Sequence, residues 1–137
     1  MYCKLFVLVL VCAAFSAATA NTARRGKAVG APMKANADDD DVQEALTFAM
    51  REFNKGSNDM YVSKATRVVS VEKQLVAGIN YFIEVEVGRT TCTKPTNNIE
   101  TCNLHVEPNL AKSIHCSFTV YIIPWKGISK LSKNECH

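Results

Sequence analysis

Cys92, Cys102, Cys116 and Cys136, with His105 and His115 close by in the chain, are the residues whose types could do covalent or metal chemistry. A thiolate beside an imidazole base is a nucleophile, two thiolates with two imidazoles can hold zinc, and four cysteines in an oxidising compartment form two disulfides. The compartment separates these readings. Residues 1–20, MYCKLFVLVLVCAAFSAATA, carry one basic residue, an apolar run of eleven from Leu5 to Phe15, and Ala18-x-Ala20, the pattern of a secretory signal peptide cleaved after Ala20. The run is too short to span a bilayer and no later stretch is apolar for long enough, so a soluble, secreted, extracellular product with no membrane partner is expected. Cleavage removes Cys3 and Cys12 and leaves an even four. Pairing Cys92 with Cys102 and Cys116 with Cys136 closes two short local loops, and this is the connectivity expected. Zinc is the weaker reading, because the spacing of Cys92, Cys102, His105 and His115 matches no known ligand pattern. No metal and no cofactor are expected. With the thiols committed to disulfides, and no Gly-x-Ser-x-Gly, His-Glu-x-x-His or phosphate-cradling glycine motif, the chain does not read as an enzyme.

What remains is binding. The signal takes Lys4 with it, so 15 basic residues face 13 acidic ones and the mature chain carries about +2, no reason to propose nucleic acid. The unusual stretch is EKQLVAGINYF, Glu72 to Phe82. Strands flank it, so LVAG reads as a hairpin tip, a place where water normally selects Asn, Asp, Gly or Ser. Leu75, Val76 and Ala77 stand there instead. A second apolar turn, PWKG, follows at Pro124 to Gly127, and a third apolar piece, Ala28-Val29 before Gly30, lies upstream.

The elements that must position these pieces are legible in the periodicity. After a basic segment (Arg24, Arg25, Lys27, Lys34) and four aspartates (Asp38 to Asp41), the chain places Val42, Ala45, Leu46, Ala49, Met50 and Phe53 on one helical stripe. Asp41 as N-cap, with Glu44 three residues on, resembles a capping box, and Gly56 is the expected stop. The acidic run is read as a helix start rather than a calcium site, and the helix as a core-facing packing element. The period then changes to two: residues 65–74, 78–89, 113–124 and 127–136 read as strands of an antiparallel meander. Residues 90–112 between the second and third of these are polar and rich in turn formers, an irregular excursion that carries the first cysteine pair.

Turns of a meander alternate ends, so the Gln74–Gly78 tip and the Pro124–Gly127 turn must fall at the same end of the sheet. If the segment before the helix adds a strand antiparallel to the first meander strand, Val29 and Gly30 arrive there too. Three apolar pieces then line one edge, and an aligned, exposed apolar edge marks a binding site.

These residues carry a resemblance. QLVAG has the Gln-x-Val-x-Gly form of the cystatin hairpin; PW lies downstream and a glycine upstream in VGAPM, as in that family; four cysteines follow, together with SNDMY and GRTTCTK. The chain resembles the secreted, two-disulfide (type 2) cystatins over essentially all of residues 21–137, a single domain whose residues 21–29 form a flexible tail. The resemblance implies an α+β fold, a five-stranded antiparallel sheet wrapped around one long helix. It implies reversible, tight inhibition of papain-like cysteine proteases such as the lysosomal cathepsins, by a three-part wedge in the active-site cleft. Val29 and Gly30 would lie on one side of the nucleophile, Gln74, Leu75, Val76, Ala77 and Gly78 in the middle, and Pro124 and Trp125 on the other. Ala28 stands where family members often carry a larger aliphatic residue, which implies a weaker tail grip on some enzymes.

Two further expectations follow. In the resembling proteins an Asn at the position of Asn58 can enter the active site of legumain, an endopeptidase that cleaves after Asn; the plainer reading of Asn58 is a loop cap. Val76, β-branched in a tight hairpin, would strain the backbone there and make a monomer prone to domain-swapped dimers. The alternative to the inhibitor is a secreted binding or host-defence module of the same fold that does not inhibit.

Overall fold

The computed structural model describes residues 30–137, so the expected signal peptide, the basic segment through Lys27 and the expected tail residue Val29 lie outside the described residues. Along the chain come β1 (Met33–Lys34), α1 (Asp40–Gly56), β2 (Tyr61–Val76), β3 (Gly78–Thr93), a 3-10 turn at Ile99–Thr101, β4 (Ser113–Ile123), a second 3-10 turn at Pro124–Lys126, and β5 (Ile128–Cys136). The five strands form one antiparallel sheet in the order β1-β2-β3-β4-β5, with the helix inserted in sequence between the first two. Among the described residues no helix is long and apolar enough to cross a membrane.

The helix buries its apolar stripe. Val42, Ala45, Leu46, Ala49 and Met50 are all buried against Val71 of β2, Tyr81, Ile83, Val85 and Val87 of β3, and Cys116, Phe118 and Val120 of β4. Phe53, half-buried, meets Phe118 edge-on with ring centroids 6.1 Å apart. Each of the larger side chains so buried, Val42, Leu46 and Met50 among them, contributes roughly 1.5 to 3 kcal/mol of transfer free energy, which is what holds the helix across the sheet.

Two local expectations are corrected. The N-cap is Asp39, not Asp41, and no side chain caps it. Asp41 sits inside the first turn, and its Oδ2 accepts from Lys73 Nζ at 2.7 Å and from Tyr81 Oη at 2.9 Å. Charged and hydroxyl donors from the sheet make stronger partners than backbone N–H groups of its own turn, so the capping box with Glu44 does not form. The strands also run further than alternation indicated: β2 begins at Tyr61 and β3 reaches Thr93. Register shifts between Tyr61 and Ser63, Ala65 and Arg67, and Val68 and Ser70 break the period of two that would have revealed the start of β2.

The disulfides are Cys92–Cys102 and Cys116–Cys136, as expected. The first ties the 90–112 excursion back onto β3, helped by the Thr90–Leu104 bridge; the second joins directly opposed residues of β4 and β5. With all four sulfurs paired, neither a thiolate nucleophile nor a Cys/His zinc site can be assembled from them. His115 instead shares the Glu84 carboxylate with Ser117, at 2.7 and 2.6 Å.

Candidate functional site

The first hairpin tip is very tight. Ladder pairing runs through Leu75↔Ile79 to Val76↔Gly78, leaving Ala77 alone at the turn. Leu75 is 65% and Val76 44% exposed. Gly78 has φ +123°, and a Cβ built on it would lie 2.9 Å from both the Ile122 carbonyl oxygen and Cε1 of Tyr121. No other residue fits without displacing β4.

The second piece stands beside it because β3 and β4 pair Ile79↔Ile122 and Asn80↔Tyr121. From there β4 leads into the Pro124–Lys126 turn, closed by Gly127 N–H donating to the Pro124 carbonyl at 3.2 Å. Trp125 projects from this turn, 69% exposed.

The third piece is fixed by a side chain. β1 pairs Met33↔Lys73 on β2, which brings the preceding residues toward the tip. The Gln74 amide then donates through Nε2 to the carbonyl of Gly30, which has φ +84°, and receives Asn80 Nδ2 on its Oε1 at 3.4 Å. Gln74 is thus the bridge between the chain entry and the tip, a role its amide can fill because it donates and accepts at once.

One rung behind the tip, the Lys73↔Tyr81 pair anchors this end to the helix through Asp41. Lys73 holds the Asp41 carboxyl below its ordinary value against the opposing effect of burial, with Tyr81 adding to the pull. Burial, and then the bond to Asp41, pushes the Tyr81 phenol up to about 12, so it remains a neutral donor in physiological water.

Asn58 lies at the other end of β2, exposed, in the loop between Gly56 and Tyr61. Its neighbours are held from several sides. Ser57 Oγ receives Asp59 N–H at 3.0 Å, and the Ser57 carbonyl receives Lys94 Nζ at 2.8 Å. Asp59 accepts Tyr61 N–H at 3.0 Å and forms an ion pair with Arg89 at 2.7 Å. Burial pushes the Asp59 carboxyl up, but Tyr61 N–H and Arg89 outweigh it and hold it below the ordinary range. Asn54, buried at the end of the helix, completes the brace by bonding both backbone groups of Ser63, at 2.9 and 2.8 Å. Loop capping is therefore done by Ser57 and Asp59, and the Asn58 side chain makes no hydrogen bond among the described residues.

A family model described as the cystatin domain matches residues 30–125. The chain belongs to the cystatin family. This cystatin is 47% identical over 132 residues to cystatin-C of Saimiri sciureus, covering 96% of this chain and 90% of that one, and 49% identical over 130 residues to cystatin-C of Rattus norvegicus, covering 94% and 93%. Its fold is that of dimeric human cystatin F, with a TM-score of 0.74 and 27% identity over 88% of this chain and 96% of that one.

Of the residues singled out in the sequence of this cystatin, Gly30, Gln74, Leu75, Val76, Ala77, Gly78, Pro124 and Trp125 meet at one end of the sheet, Asn58 is at the opposite end, and Val29 lies outside the described residues. The strain expected at Val76 is absent: among the described residues only glycines have positive φ, and Val76 is ordinary strand. The unusual backbone is at Gly78, where it costs little. Sequence reasoning passed over Asn80 and Tyr121, which alternate outward on their strands like any solvated residue. Asn54 was also missed, since an Asn near a helix end carries no mark of burial.

Proposed function

We propose that this cystatin is a secreted, reversible, tight-binding inhibitor of papain-like cysteine proteases, lysosomal cathepsins among them, acting after loss of residues 1–20. Family and fold support cysteine protease inhibition; the convergence of Gly30, the Leu75–Ala77 tip and Trp125 on one exposed apolar edge is the observation that supports a wedge. A V-shaped cleft with apolar walls can accept such an edge without being offered a peptide bond in attack geometry, so blockade needs no chemistry from the inhibitor. Val29 and Gly30 take one side of the cleft, Gln74 to Gly78 the middle, Pro124 and Trp125 the other. Papain titrated with residues 21–137 should lose activity stoichiometrically and recover it on dilution. Deleting residues through Val29 should raise the dissociation rate most for enzymes with deep apolar subsites. No inhibition of papain or any cathepsin would leave the non-inhibitory binding module as the reading.

The exposed, firmly held Asn58 favours a second activity, inhibition of legumain at the opposite end. Two sites so far apart should not couple. Asn58→Lys should abolish legumain inhibition and leave papain inhibition intact, and a parent protein that leaves legumain active at micromolar concentration would return Asn58 to the role of a loop residue. The inhibitory form is the monomer. A strand exchange that opened the Ala77 turn would merge β2 and β3 and remove the tip, so any swapped dimer isolated by gel filtration after mild heating should be inactive against papain.

A further inference from the structure

The three pieces of the edge come from separate parts of the chain, and their relative placement has to be fixed by something other than their own contacts. Tyr121 is the residue best placed to do this. It pairs with Asn80 across β3 and β4, and its ring runs alongside β3 toward the tip, where its hydroxyl donates to the carbonyl of Ala77, the single turn residue. The path exists only because position 78 is glycine: a Cβ there would stand 2.9 Å from Cε1 and 3.0 Å from Oη of Tyr121. Beyond Tyr121 the same strand continues through Ile122 and Ile123 directly into Pro124 and Trp125. One side chain therefore holds the outermost carbonyl of the first hairpin while its own backbone carries the second.

We propose that Tyr121 is a positioning residue for protease inhibition, setting the Ala77 tip at a fixed offset from Trp125 so that both enter one cleft together. The inference rests on the wedge reading. It also gives the glycine of the hairpin a second reason: besides allowing φ +123°, Gly78 clears the way for a phenol from the neighbouring strand. Free tips of this kind would sample several orientations, and ordering them on binding would reduce affinity; a tip already held loses less.

Tyr121→Phe keeps the ring and deletes the hydroxyl. The expected result is a papain dissociation rate raised roughly five- to tenfold, the size of one neutral hydrogen bond, with an association rate and thermal midpoint like those of the parent. In a Trp125→Ala background the same substitution should raise dissociation by no more than about twofold, because alignment no longer matters once one aligned part is gone. A Phe variant that dissociates like the parent, or an equal effect in both backgrounds, overturns the proposal, the second by showing that the hydroxyl only stiffens the tip. A lowered thermal midpoint with unchanged dissociation would make Tyr121 a fold residue and overturn it too. An independent arm separates failure here from failure of the wedge itself: the Ala77 carbonyl 13C resonance should shift and the Gly78 amide should exchange faster in Tyr121→Phe. If the parent leaves papain active, the inhibitory reading fails on its own, and an unshifted Ala77 resonance would then overturn the contact as well.

Discussion

The two ends of the long β2 strand are built on opposite plans. At the start of β2, Asn54, Asp59, Arg89 and Lys94 satisfy backbone groups and one another, so polar bonding fixes a loop that displays a single polar residue, Asn58. At the finish, Leu75, Val76 and Trp125 are left exposed and apolar, and beyond the Asp41 anchor one rung behind, what holds the tip is a small set of bonds to bare carbonyls, those of Gly30 and Ala77. The lesson is that local stability and exposed apolar area are separable within one sheet. The braced end spends its side chains on the fold, while the other end leaves them exposed.

This contrast can be broken by substitution. The largest effect is expected from Asn54→Ala, which leaves the half-buried N–H and C=O of Ser63 without partners and should cost about 2 to 4 kcal/mol in chemical denaturation, with no change in papain affinity. A loss of affinity at unchanged stability would join the two ends. Next comes Trp125→Ala, for which the pattern inverts: affinity for papain falls by at least about 1 to 2 kcal/mol while the circular dichroism melt stays where it was. If the melt falls instead, Trp125 belongs to the fold.

A smaller effect, about 1 kcal/mol, is expected from Asp59→Asn, since its Arg89 partner is only 20% exposed. Its pH dependence has a definite sign. The folded Asp59 carboxyl lies below its ordinary 3.8, so its contribution is fully present above that pH and is lost as pH falls through the depressed folded value. The stability gap between parent and variant should therefore be constant above pH 3.8 and shrink below it; a gap that widens in acid would contradict the pairing. The smallest effect should come from Lys73→Met. Its bond to Asp41 joins groups 35% and 40% exposed, and solvent screening leaves it at most about 0.5 kcal/mol. A loss several times larger on denaturation would mean that the apolar end also depends on a polar brace.

Much of this was legible in the sequence, for identifiable reasons. The helix stripe and the alternation of Tyr81 to Val87 and Cys116 to Ile122 show because one face of each packs into the core, where a polar side chain would be costly. The edge was legible because apolar residues at a turn violate ordinary turn chemistry. Position within a run of four aspartates was not legible: each is a competent cap, and only the placement of Lys73 and Tyr81 draws Asp41 away. Nor was the role of Asn54 or Tyr121, since a hydrogen bond to a distant backbone leaves no periodic trace.

The open side of β2 has a consequence for how this protein behaves at high concentration. β1 pairs only with Glu72 and Lys73, and Asn54 takes both backbone groups of Ser63, so the stretch of β2 between them has an edge with no pairing strand, whose backbone groups could template a neighbouring molecule. Its three register shifts, which obscured its start in the sequence, interrupt that template. Irregularity there works as a guard against edge-to-edge aggregation, and a β2 straightened by repairing its bulges would be a better strand in a worse-behaved solution.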